Sequence, residues 1–117
     1  MSLAMTQSPV DVAEGLARAG QDREFFKELL EMLSEDAPAK LADIRALLAA
    51  SRPGDVAAPA HSLKGAAANL SAVGVMSVAK QIEDAARKGV HGELSLLADQ
   101  LEREIDRLLA FTRDFEP

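Results

Sequence analysis

The chain has 117 residues, 48% hydrophobic and 27% charged, with 19 acidic against 13 basic side chains, a formal net charge of −6 and no Cys, Trp or Tyr. One domain with a radius of gyration of roughly 13 Å fits that length, which excludes a nucleotide-binding fold with a separate substrate domain and a kinase catalytic domain of ordinary size. Zero Cys removes disulfides, thiolate nucleophiles and Cys-ligated metal sites, and the acidic balance argues against the concentrated positive surface that nucleic acid requires.

Ala occurs 22 times and Leu 16 times, whereas Val, Ile, Thr and Phe together supply 16 residues, a helical composition. No apolar run approaches the roughly 18 residues that span a bilayer, and no basic-then-apolar leader opens the chain. A cytoplasmic, monomeric protein away from membranes is expected. Residues 1–7 are expected to be a disordered or expression-derived tail before one domain over 8–117.

In chain order, Ser8-Pro9-Val10-Asp11 reads as a helix start, with Ser8 at the N-cap, Pro9 at the first helical position and an acid in the first turn. That short helix runs to Gly20. Asp22 opens a long stripe of Phe26, Leu29, Leu30, Leu33, Ala37, Leu41, Ile44 and Leu48 at helical spacing. Pro38 falls inside it, deletes the bond to the Ser34 carbonyl and is expected to bend the helix. Ser51-Arg52-Pro53-Gly54 is a stop, and Asp55 is expected to cap the next helix, which runs to about Ala72 before Gly74 breaks it. A fourth helix covers about Val75–Lys88 with Val75, Val78, Ala79, Ile82 and Ala86 on one face and Gly89 at its end. A fifth runs from about Glu93 to Thr112, with Leu94, Leu97, Leu101, Ile105, Leu108 and Phe111 in one stripe. Every segment follows the 3.6 period and none alternates like a strand. The fold class is therefore all-α, an up-and-down four-helix bundle with a short additional N-terminal helix.

The third helix differs from the rest. At 100° per residue, Val56, Pro59, Ala60, Leu63, Ala66, Ala67 and Leu70 share a core face. The opposite side holds Ala57, Ala58, His61, Lys64, Gly65 and Ala68, a nearly flat surface from which only His61 and Lys64 rise. A Gly at position 65 costs about 1 kcal/mol against Ala in a helix interior, which suggests that something approaches the imidazole closely. Attack by a neutral imidazole nitrogen on phosphorus suits such a surface. Lys64, at i+3, would offset the charge of the resulting phosphohistidine. An ordinary surface histidine on an Ala-rich helix satisfies the same spacing, and spacing alone does not separate the two.

The run Ala60-His61-Ser62-Leu63-Lys64-Gly65-Ala66-Ala67-Ala68-Asn69-Leu70 closely resembles the signature of histidine-containing phosphotransfer (HPt) domains, whose core is His, any residue, Leu, Lys, Gly. Ser34-Glu35-Asp36-Ala37-Pro38 and Gln81-Ile82-Glu83-Asp84-Ala85-Ala86-Arg87 resemble further segments of that family, so the likeness extends over most of residues 22–112. The resemblance implies a four-helix bundle that takes a phosphoryl group from the aspartate of one receiver domain and passes it to another. By position, His61 is the phosphoacceptor, Lys64 its electrostatic companion and Gly65 the residue that clears the approach. Glu83 falls where the family places a polar or acidic group near the imidazole, and accepting the Nδ1 proton there would leave Nε2 as the nucleophile. Ala57, Ala58, Gly65 and Ala68 are expected to form the partner-binding floor. Ser71 departs from a position where the family often has Gly.

No Walker loop or kinase ATP motif occurs, so a carrier without an ATP site is expected, either free-standing or part of a larger hybrid kinase. No metal ligand pattern is present, and any Mg²⁺ is expected on the receiver partner. His91, between Gly89 and Gly92, reads as a turn residue. Lys40, Arg45, Lys80, Arg87 and Lys88 read as solvated helix faces. Two alternative functions share these residues: the phosphoacceptor domain of a chemotaxis-type or hybrid sensor histidine kinase, and a helical interaction module in which His61 is never modified.

Overall fold

A computed structural model describes residues 7–117, and within them the regular structure is wholly helical: α1 (Val12–Arg18), α2 (Arg23–Ala49), a 3₁₀ turn (Pro53–Val56), α3 (Ala57–Asn69), α4 (Val73–Arg87) and α5 (Leu94–Asp114). All of the expected tail except Gln7 lies outside the described residues. The backbone carbonyl of Gln7 accepts a bond from Arg107.

The apolar stripes become the core. Phe26, Leu30, Leu33, Ala37, Leu41 and Ile44 of α2 are buried against Ala60, Leu63 and Ala67 of α3, Val75, Val78, Ala79, Ile82 and Ala86 of α4, and Leu94, Leu97, Leu101, Ile105 and Leu108 of α5. Leu29, Leu48 and Phe111 are half-buried at its edges. Helix α2 packs on α3, α3 on α4, α4 on α5 and α5 back on α2, with α3 against α4 the most extensive contact. The Cα radius of gyration is 14.2 Å.

Several helix ends differ from their expected places. Asp11, not Ser8, caps α1: its Oδ1 accepts from the Glu14 N–H at 3.1 Å, while Ser8 Oγ is engaged with the backbone of Val10. The Asp11 carboxylate also meets the positive end of the helix dipole, and the helix begins three residues later than expected. Asp22 caps α2 as expected, through the Phe25 N–H at 3.0 Å. Helix α2 is unbroken across Pro38, which lies exposed, where water can reach the Ser34 carbonyl that the ring leaves without a backbone donor.

Asp55 does not cap α3. Its carboxylate pairs with Arg52 at 2.7 Å, and α3 grows directly out of the 3₁₀ turn, whose tighter bonding continues to Ala57 N–H donating to Gly54 O. The turn supplies acceptors to N–H groups that a side chain would otherwise serve. The break between α3 and α4 falls at Ser71 and not at Gly74. Ser71 N–H bonds to Ala68 O at 3.2 Å and Ala72 N–H to Ala67 O at 2.9 Å, the bond pair of a Schellman ending. Ser71 therefore sits at φ 57°, the left-handed position that usually takes Gly. Gly74 lies inside the first turn of α4.

Helix α1 closes over this turn. Asp11 N–H donates to Ser71 O at 2.9 Å. Gly15 is buried so tightly that a Cβ there would stand 2.6 Å from the Phe26 ring and 2.8 Å from Leu70 O.

Candidate functional site

His61 occupies the second turn of α3, with 62% of its side chain exposed. Directly beneath it, α4 brings Glu83, whose side chain is only 6% exposed. Ile82 and Ala86 anchor α4 in the core on either side of Glu83, and the tight α3–α4 contact carries its carboxylate to the imidazole.

Three donors converge on this carboxylate. Lys64 Nζ lies 2.6 Å from Oε1. His61 Nδ1 lies 2.9 Å from Oε2, and Arg87, one turn further along α4, donates to the same Oε2 from Nε at 2.9 Å and Nη2 at 2.8 Å. A carboxylate held by two cations has only acceptors to offer, so the proton of the neutral imidazole sits on Nδ1 and Nε2 carries the free lone pair. The Lys64 ammonium, assisted by Arg87 and the imidazole and opposed by burial, pulls the Glu83 carboxyl down from 4.5 to about 2. Glu83 is therefore an anion throughout the physiological range.

The flat face is real but rotated from its expected centre. Ala58, His61, Ser62, Gly65 and Asn69 are the exposed residues of α3. Ala57 is buried, at 9% exposure, because it stands on the α4 side of the helix, where the extensive α3–α4 packing and the 3₁₀ turn cover it. Its assignment to a partner-binding floor is corrected on that ground. Ala68, on the same flank, is half-buried. Among the described residues nothing lies within 4 Å of a Cβ built on Gly65, so its lack of a side chain answers no internal crowding there and leaves the approach to the imidazole clear.

Arg87, read from the sequence as a solvated face, is instead part of the charge cluster. Its i, i+4 spacing from Glu83 was the available signal, but the same spacing describes the surface pair Lys80–Asp84, and only the burial of Glu83 distinguishes them. Ser62 and Asn69 also join the exposed face. Their offsets from His61 place them toward α2, and the sequence does not show which flank of α3 its neighbours cover. His91 lies in the α4–α5 connection, exposed, with Nε2 3.4 Å from Ala86 O. Among the described residues no group of three or more His, Asp or Glu could hold a metal ion, and no helix is long and apolar enough to cross a membrane.

Comparison with solved structures places the chain close to histidine-containing phosphotransfer protein B (HptB) of Pseudomonas aeruginosa PAO1, with a TM-score of 0.81, 25% sequence identity, and coverage of 89% of this chain and 90% of that one. A sequence search of curated proteins gives no match. The family model for the Hpt domain matches residues 28–111, a span that contains the exposed histidine, its lysine and the buried glutamate beneath them, and the chain belongs to that family.

Proposed function

We propose that the chain is a histidine phosphotransfer carrier of a two-component phosphorelay, built as an up-and-down four-helix bundle, with His61 as phosphoacceptor. The observation that carries this reading is the division of the imidazole: Nδ1 is held by Glu83 at 2.9 Å, while most of the ring stands in solvent on a face with little relief.

In the forward step the Nε2 lone pair forms the N–P bond as the P–O bond to a receiver aspartyl phosphate breaks, its electron pair leaving on the aspartate carboxylate. The Nδ1 proton stays in place, so the product ring is a phosphoimidazolium whose positive charge faces the Glu83 anion. The reverse step expels a neutral imidazole, which makes the same ring a good donor to a second receiver. Lys64 lies within reach of the dianionic phosphoryl group and offsets its charge. The work asked of the chain is positioning and electrostatics, with Mg²⁺ and the aspartates supplied by the receivers. Ala58, Gly65 and Ala68, together with Ser62 and Asn69, form the floor on which a receiver rests. The protein acts as a monomer in the cytoplasm, without an ATP site of its own.

Incubation with phosphorylated receiver domains tests the assignment. An acid-labile, base-stable phosphate is expected on the wild-type chain and absent from His61→Gln; equal labelling of the two defeats it.

A further inference from the structure

Arg87 shares a single oxygen of Glu83 with the imidazole. Its guanidinium is fixed there by two bonds from the last turn of α4, yet 58% of its side chain remains exposed, so it reaches the cluster from the solvent side.

A proton and a phosphoryl group compete for the same atom, Nε2. Each converts the ring to a cation, and the Glu83 anion below favours that cation equally in either case. Glu83 by itself therefore does not discriminate: it would stabilise an imidazolium that has lost its nucleophile as readily as a phosphoimidazolium. The two products differ in total charge. Protonation adds one positive charge, whereas phosphorylation adds a cationic ring and a dianion, one net negative charge. A nearby fixed cation opposes the first and favours the second.

We propose that Arg87 is a positioning residue that biases Nε2 toward phosphoryl and against proton, acting through Glu83 and through its own charge. The inference rests on the phosphoacceptor reading of His61. Lys64, on α3 itself, acts in the same sense from the other carboxylate oxygen. The remaining elements packed on α3 carry Asp36, Lys40 and Asp43 on α2, and Arg52 and Asp55 at the 3₁₀ turn. Among the described residues Asp36 pairs with Lys40 and Arg52 with Asp55, and none of the five is hydrogen-bonded to the imidazole. On α4 itself Lys80 pairs with Asp84, and Glu83, Lys64 and Arg87 are the charges joined to the imidazole directly or through Glu83.

The test needs two measurements on wild type, Arg87→Gln and Arg87→Lys. The first is an NMR pH titration of the His61 ring. The second is labelling by phosphoramidate, a small donor that requires no docking surface, followed by the lifetime of the phosphohistidine. In Arg87→Gln the ring is expected to protonate at higher pH, and its phosphorylated form to be lost faster, each by about threefold for a partly screened charge at this range. Arg87→Lys restores most of both effects. A purely structural role would not move the ring titration. A wild-type chain that labels on His61 while Arg87→Gln leaves titration and lifetime unchanged overturns this inference alone, as does Arg87→Lys behaving like Arg87→Gln. A wild-type chain that takes no phosphoryl group on His61 overturns the phosphoacceptor reading and this inference with it.

Discussion

Glu83 is the residue on which the site balances. Its carboxyl is held at about 2 against an ordinary 4.5, chiefly by the Lys64 hydrogen bond. In the interval between those values the unfolded chain binds the proton that the folded chain refuses, so stability rises with pH there. Glu83 therefore contributes fully above about pH 5, and its contribution shrinks as the pH falls through the folded-state value. Glu83→Gln removes the anion, leaves Lys64 and Arg87 without their counter-charge and is expected to lose on the order of 1–2 kcal/mol at pH 7. The gap between wild type and variant in chemical denaturation should narrow steadily as the pH falls from about 5 towards the folded-state value. A gap of the same size at the acid limit contradicts the assignment. Ser71 is strained for a different reason. It holds φ 57°, is 2% exposed, and its buried hydroxyl has no hydrogen-bond partner among the described residues. Ser71→Gly removes both the left-handed penalty and the orphan group, and should raise the denaturation midpoint by an equivalent of about 1 kcal/mol with an unchanged m-value.

At the scale of the element, α3 sacrifices local stability for a clear surface. Gly65 sits mid-helix with open space above it, so Gly65→Ala should stabilise the fold by about 0.5–1 kcal/mol in urea denaturation. Gly65→Leu should keep its helix content and still label with phosphoramidate, while receiver-to-His61 transfer falls about tenfold or more, the equivalent of about 1.4 kcal/mol of docking. Loss of folding, or equal slowing with the small donor, would show that the side chain does not point at the partner. The apolar stripe of this helix is legible in the sequence, because Ala60, Leu63 and Ala67 recur at the period that burial imposes. The helix ends are not, since several local solutions compete there. Asp55 is as good a cap as Asp22, but its carboxylate is engaged by Arg52 and a 3₁₀ turn occupies the helix start. Gly74 is a stronger breaker than Ser71, yet the Schellman bonds place the left-handed residue at 71. Such ends are decided by the angle at which neighbouring helices must leave, which is a tertiary quantity. The exposed arc of α3 was legible to within about 50° of helix rotation, and the error buried Ala57 on the α4 side while exposing Asn69 on the α2 side.

At the scale of the molecule, the contacts that were illegible are those joining residues some ninety positions apart. The end of α5 is clasped onto the start of α2. Phe115 packs edge-on against Phe26 with ring centroids 5.4 Å apart and stacks on Phe111 at 5.9 Å. Arg23 lies 4.9 Å over the Phe115 ring and donates to the carbonyls of Glu116 and Pro117. Lys27 donates to the carbonyls of Thr112 and Phe115, tying the start of α2 to the end of α5 and the residue that follows it. Nothing in the periodicity of α5 announces this, since Phe115 lies beyond its end. The clasp sits where Gly15 packs Phe26 beside Leu70, nine residues along α3 from His61, or about 13 Å of helix. Stability and chemistry should therefore separate. Phe115→Ala deletes a half-buried ring that holds α2 and α5 together and should lower stability by about 1–2 kcal/mol, less than a fully buried ring would cost. In a domain of this size that corresponds to a fall of about 5–10 °C in Tm by calorimetry. Labelling of His61 by phosphoramidate at a temperature where both proteins are folded should be unchanged, because Glu83, Lys64 and Arg87 are held by α3 and α4 alone. Slower labelling at full occupancy of the folded state would show that the clasp reaches the site, and that the charge cluster depends on the whole bundle and not on the one helix pair.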